Sequence, residues 1–264
     1  MKNDLIASFD RKIPLQLLNQ YYLDWKIGLM FCHVPKAACT YFGKILIELH
    51  GYNESYTRDK EFIHLFLKNI TTQYSSFRRF LSRKINLNKM PKILFVRHPF
   101  SRLLSGYLDK IYNKIETIPV DVQNYQKFLH KMILSLNLCK NKSESCLIKN
   151  ANISFPIFVD SLIAGLYDIH FLPYTKMCMP CSIPYTHIIR QETFSEDINC
   201  LLRDLGISEF NNDALWVSKQ YPGERTDKYL KEFYSQLSTN QIQQLVNYTF
   251  LDHVLFYYKF KQYF

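Results

Sequence analysis

The sequence predicts an α/β fold, a parallel sheet flanked by helices, on two observations. Short apolar runs at Lys26–Val34, Lys92–Val96 and His187–Arg190 are each followed by a turn and a helical pattern. Strand–turn–helix units in series imply parallel strands joined by crossover helices. Apolar residues make up 47% of the 264 and aromatic residues 16%. That composition fills a sizeable core and rules out disordered, collagen-like or low-complexity chains.

The elements follow in order. Lys26–Val34 (KIGLMFCHV) ends at Pro35 and reads as a buried strand, with a helix expected from Thr40 to His50. Lys92–Val96 (KILFV) is the second strand, Arg97-His98-Pro99 its turn, and Ser101–Asn113 an amphipathic helix. After His187–Arg190, Thr193-x-x-Glu196 has the form of a capping box. Its helix runs to Leu205, with Gly206 as the C-terminal stop. Two helices close the chain, the second starting near Ser238-x-x-Gln241. The stretches Ser75–Lys92 and Leu138–Ala151 read as surface excursions. Residues 1–25 form an N-terminal segment, and 26–264 form one domain.

Thirty-three Lys and Arg against 23 Asp and Glu give a formal charge of +10, which favours anionic partners. No helix-turn-helix, zinc-finger or RNA-binding aromatic signature accompanies that charge, so nucleic acid is not the expected partner. No run reaches transmembrane length, and Met1–Asp10 is not a secretory signal. Either the protein is cytosolic or the sequence is a catalytic portion without its anchor. Seven cysteines and five Asn-x-Ser/Thr sequons (at Asn53, Asn69, Asn141, Asn152 and Asn247) point instead to an oxidising lumen.

Two turns carry chemistry. Pro35–Thr40 (PKAACT) joins a strand to a helix, where unpaired amides and the helix dipole hold phosphate. Lys36 adds a cation and Thr40 a hydroxyl. The Walker pattern is absent, so this is either an anion-binding turn of another kind or a plain strand–helix turn. The second turn holds Arg97 at a strand end, where ligands of open α/β sheets gather. Beyond it, Arg102 and Ser105 lie one helical turn apart. A fixed guanidinium and a hydroxyl suit a terminal phosphate.

The pair PKAACT and FVRHPFSRLLSGYLDK resembles the two nucleotide-binding motifs of the Golgi carbohydrate sulfotransferases, nearest the chondroitin and dermatan 4-O-sulfotransferase group. Further matches follow in order: Asp168–Cys181 (DIHFLPYTKMCMPC), Tyr185–Leu202, Arg225-Thr226-Asp227, and Leu251-Asp252 with Leu255–Tyr258. The resemblance implies a P-loop nucleotide-kinase-like sulfotransferase fold. It also implies transfer of sulfate from 3′-phosphoadenosine 5′-phosphosulfate to a sugar hydroxyl on an N-acetylgalactosamine-containing glycan, in the Golgi lumen, with membrane contact only through an anchor outside this chain.

Carried over, Lys36, Ala37, Ala38, Cys39 and Thr40 would surround the 5′-phosphosulfate, with Lys36 the principal, catalytic cation. Arg97 and Ser105 would bind the 3′-phosphate, and Arg225 is a further phosphate candidate. The chain departs from the family at Tyr41-Phe42, Phe171 and Ile189-Arg190, where Asn-Trp, Trp and Gly-Lys are usual. A small-molecule sulfotransferase, or another phosphate-binding α/β transferase, is the alternative.

In-line transfer needs positioning, cations and a base for the acceptor hydroxyl. His170 is the first candidate base, against a structural role bonded to a carbonyl; His33 and Glu192 follow, and His98 reads as a motif spacer. The P-loop metal ligands are missing, so no metal is expected. Cys178-x-x-Cys181 is at most half a zinc site, and a disulfide of unassigned partner is the expected alternative. Cys139 and Cys146 could close a small loop. The basic stretch Phe77–Lys92 is either an acceptor-binding surface or a solvated helix face.

Overall fold

A computed structural model describes residues 20–52, 60–73, 89–112, 153–165, 168–207, 226 and 228–260. Arg225, Cys139, Cys146, the sequons at Asn53, Asn141 and Asn152, and residues 77–88 of the basic stretch lie outside the described residues. The chain groups into two compact units, one within Met1–Arg97 and Tyr174–Tyr221, the other within His98–Pro173 and Pro222–Phe264.

The first unit holds a five-stranded sheet. Its strands are β1 (Tyr21–Asp24), β2 (Leu29–Cys32), β3 (Thr72–Gln73), β4 (Lys92–Val96) and β5 (His187–Arg190), in the order β3-β1-β2-β4-β5. Strands β2, β4 and β5 are parallel, with Phe31 opposite Ile93 and Leu94 opposite Ile188. The sheet is nevertheless mixed, because β1 runs antiparallel to both β2 and β3. The hairpin behind this extension turns at Asp24. Its buried carboxylate accepts the backbone N–H groups of Lys26 and Ile27 at 3.0 Å and meets His50 Nε2 at 2.7 Å. Gly28, at φ 81°, supplies the left-handed step that completes the turn.

Every residue of β4 is buried, as expected of a continuous apolar run in the middle of a sheet. Helix α1 (Cys39–Leu49) lies on the sheet through Phe42, whose ring sits 5.2 Å from Phe31 and 4.5 Å from Phe95. Helix α2 (Lys60–Ile70) packs on α1 at Gly43. A Cβ there would stand 2.7 Å from Ile63 Cγ2, so only glycine permits this approach.

Helix α3 (Pro99–Lys110), helix α4 (Phe155–Ile163), helix α7 (Leu230–Tyr234) and helix α8 (Thr239–Leu255) build the second unit around an aromatic core. Tyr107 donates to Ile153 O at 2.7 Å and Tyr234 to Phe100 O at 2.9 Å, so its large buried rings keep their hydroxyls satisfied. Helix α8 begins near Ser238 as expected, with a capping box in which Ser238 and Gln241 bond each other's backbone amides.

The first unit also carries α5 (Tyr174–Met177) and α6 (Phe194–Asp204). The capping box expected for α6 does not form. Thr193 (φ −121°, ψ 30°) is not in the extended conformation a capping residue needs, and its hydroxyl donates to Asp197 instead of accepting from the helix. Asp197 also accepts the Arg190 N–H at 2.7 Å, tying the end of β5 to α6. Gly206, at φ 74°, ends the helix as expected.

Candidate active site

The site is built from two strand ends. Strand β2 stops at Cys32, and the chain turns through Val34–Ala38 into α1. Lys36 (φ 69°) and Ala38 (φ 61°) both take left-handed conformations, which bend the chain sharply enough to begin a helix at Cys39. Ala38 occupies the N-cap and has no polar side chain, so no side chain caps the first turn. Ala37 is fully buried, whereas Lys36, Cys39 and Thr40 are partly exposed around the turn.

Arg97 follows β4 directly. Because β2 and β4 are parallel neighbours in register, the Lys36 turn and Arg97 leave the sheet at the same end. Arg97 is buried, and its peptide is fixed by the Tyr174 hydroxyl, which accepts from the N–H at 2.8 Å and donates to the C=O at 3.0 Å. Ser105 lies in the second turn of α3, partly buried, within the second unit.

Cys39 is paired with His33, the residue just beyond β2. Burial pushes the thiol up, but the charge and hydrogen bond of His33, reinforced by Lys36, bring it down to about 7. Burial also works against a charge on His33, yet the Cys39 sulfur outweighs it and holds the imidazole above its ordinary value. The two shifts favour the charged forms of both partners, and Lys36 adds a further cation to the turn.

His170 is held in another way. Its Nδ1 meets Asp168 Oδ1 at 2.5 Å, and its backbone N–H donates to the same oxygen at 2.9 Å. A carboxylate on Nδ1 fixes the tautomer that leaves Nε2 as the basic nitrogen. Burial raises the Asp168 carboxyl, but the hydrogen bond and charge of His170 outweigh it and hold it below the usual carboxylate range. One partner of His170 is thus a carboxylate.

Arg102 lies in α3 one turn before Ser105, as its spacing predicts. Its buried guanidinium donates to Leu172 O at 2.7 Å and Ile169 O at 3.5 Å, clamping the loop that carries His170. His98 caps α3, Nδ1 accepting from Phe100 N at 3.3 Å and Nε2 donating to Lys259 O at 3.0 Å. Glu192 is exposed after β5. The disulfide partner of Cys178 is Cys32.

A sulfotransferase family model matches residues 19–259. The chain belongs to the sulfotransferase family. Its enzyme class is therefore that of a sulfotransferase, on an α/β fold consistent with the nucleotide-binding sulfotransferase fold.

Among relatives of this sulfotransferase are three carbohydrate sulfotransferases. Carbohydrate sulfotransferase 11 of Rattus norvegicus is 28% identical over 93% of the chain and 69% of its own length. Carbohydrate sulfotransferase 12 of Mus musculus is 28% identical over 95% and 62%. Carbohydrate sulfotransferase 9 of Homo sapiens is 27% identical over 91% and 53%. The chain thus spans about half to two thirds of these relatives' lengths. No solved structure matches it significantly. Among the described residues, no helix is long and apolar enough to cross a membrane, and no three His, Cys, Asp or Glu side chains group as metal ligands.

Sequence reasoning gave no role to Asp168, although it quoted the Asp-x-His motif in which it stands. It also missed Tyr174 and the Cys39–His33 pair. Two residues on either side of a sharp turn carry no periodic signal.

Proposed function

We propose that this sulfotransferase carries sulfate from 3′-phosphoadenosine 5′-phosphosulfate to a hydroxyl of a glycan, of the N-acetylgalactosamine-containing chondroitin or dermatan type. The observation behind the reading is the parallel register of β2 and β4, which brings the Lys36 turn and Arg97 to one end of the sheet. An anionic group fits there by charge and by the helix start that no side chain caps. The donor supplies an activated sulfuryl group on a phosphate leaving group.

In this proposal Lys36 and the amides of Ala37–Thr40 hold the phosphosulfate end, and Lys36 stabilises charge developing on the leaving oxygen. Arg97, with Ser105 and Arg225, holds the 3′-phosphate. His170 accepts the acceptor hydroxyl proton at Nε2, with Asp168 stabilising the resulting imidazolium. Residues 26–264 act as one catalytic domain, a reading supported by a family match that runs across both compact units. No metal takes part. The glycan acceptor is supported by the carbohydrate sulfotransferases among the relatives. Residence in the Golgi lumen is supported by the Cys32–Cys178 disulfide, which suits an oxidising compartment.

Transfer of labelled sulfate to desulfated chondroitin, beside a phenolic acceptor, tests the reading. Lys36→Ala is expected to lower kcat by roughly two to three orders of magnitude, the usual effect of removing one charge-stabilising group. Arg97→Ala should chiefly weaken donor binding. Undiminished turnover in both variants would overturn the donor site, and transfer to the phenol alone would overturn the glycan acceptor.

A further inference from the structure

Cys32 and Cys178 are joined across 146 residues of sequence, and both are fully buried. Cys181 is free and exposed, three residues beyond Cys178. Between the two, the chain bends tightly. Cys178 N–H closes α5 on Tyr174 O at 2.7 Å, Met179 takes φ 46°, and Ser182 and Ile183 both donate to Met179 O. Thiols at Cys-x-x-Cys spacing can close a small disulfide ring, a common redox arrangement.

We propose that Cys178-Met179-Pro180-Cys181 is a thiol–disulfide exchange site, in which Cys181 takes Cys178 from Cys32. The Cys181 thiolate attacks Cys178 Sγ, the Cys178–Cys181 bond forms, and the Cys32–Cys178 bond breaks. Cys32 leaves as a thiolate and takes up a proton equivalent to the one Cys181 lost. One disulfide and one thiol are present before and after, so no oxidant or reductant is consumed.

The surroundings let Cys178 stay in place while its partner changes. Tyr185 donates to Cys178 O at 2.8 Å, and Tyr21, opposite Cys32 in the β1–β2 register, reaches Met177 O at 3.5 Å. The backbone around Cys178 is therefore held independently of the bond to Cys32. Cys32 is the last residue of β2, four positions before Lys36. Exchange removes a covalent tie from the strand that leads into the Lys36 turn. That this affects donor binding rests on the proposed function; the exchange itself does not.

Disulfide mapping of the full chain, acid-quenched from glutathione redox buffers and labelled with iodoacetamide, tests the proposal without an activity assay. In the wild type, Cys32–Cys178 and Cys178–Cys181 peptides should coexist. Cys32 labelling should be at least about tenfold slower in Cys181→Ser, because the buried bond loses its internal nucleophile. Absence of the Cys178–Cys181 peptide from the wild type would overturn the proposal. So would equal Cys32 labelling in the two proteins, which would mean direct attack by the external thiol. The wild-type mapping decides the matter even if the variant folds poorly.

Discussion

The Tyr174 hydroxyl grips the peptide of Arg97 from both sides, accepting its N–H at 2.8 Å and donating to its C=O at 3.0 Å. A single phenol thus fixes the backbone at the end of β4, where the guanidinium that we assign to the 3′-phosphate originates. Tyr174→Phe leaves a buried N–H without this acceptor, at a cost of about 1–3 kcal/mol. Urea unfolding should show that loss. Donor KM should rise more than kcat falls, because the residue positions Arg97 and does not touch reacting atoms.

The Asp168–His170 pair predicts a pH signature. Asp168→Asn removes the carboxylate that steadies the imidazolium, and kcat should fall by roughly two to four orders of magnitude. His170→Ala should cost about as much, and the double variant little more than either. The Asp168 carboxyl is held low in the folded protein, so its stabilising contribution is fully present at neutral pH. The stability gap between wild type and Asp168→Asn should narrow as pH falls below about 4 and through the lowered value, read by thermal melting across that range.

Gly106 tests how the His170 loop is seated. A Cβ at this position would lie 2.6 Å from Phe171 Cε1 and 3.6 Å from the His170 carbonyl oxygen. Phe171 is itself buried against Phe158 at 4.8 Å and has little room to retreat. Gly106→Ala should therefore destabilise by about 1–3 kcal/mol and lower kcat as His170 is displaced. Adding Phe171→Leu should restore part of the stability; a double variant no better than the single would place the clash elsewhere.

Cys39 should react as a thiolate near neutrality. Its alkylation rate, followed peptide by peptide, should rise with pH through a midpoint of about 7. His33→Asn removes the cation that favours the thiolate, so the midpoint should move upward, toward the ordinary thiol value of about 8.5. An unmoved midpoint would show that Lys36 and the helix start set the ionisation without His33.

The parallel part of the sheet was legible because its strands are apolar runs ended by turn residues. The bounds of β4 and β5 were readable to the residue, and that of β2 to within a few. Strand β1 was not, because Tyr21–Asp24 is short and its partner β3 spans two residues, so neither carries a period. The capping box at Thr193 has the right letters but the wrong backbone conformation. Helical spacing placed Arg102 beside Ser105 but gave no sign that its guanidinium also donates to carbonyls some seventy residues away. The sheet positions of Lys36 and Arg97 were readable because they depend only on strand order and direction. The partners of His170, Cys39 and Cys178 depend on turns and tertiary contacts that spacing does not encode.

Strand β4 is clasped between two parallel neighbours, and that makes its alignment an all-or-nothing property. Side chains alternate faces along a strand, so sliding β4 by one position would invert the side from which each of them emerges. Replacing a residue within Lys92–Val96 can weaken the protein by degrees. Adding or deleting one there would turn Arg97 to the opposite face at a stroke.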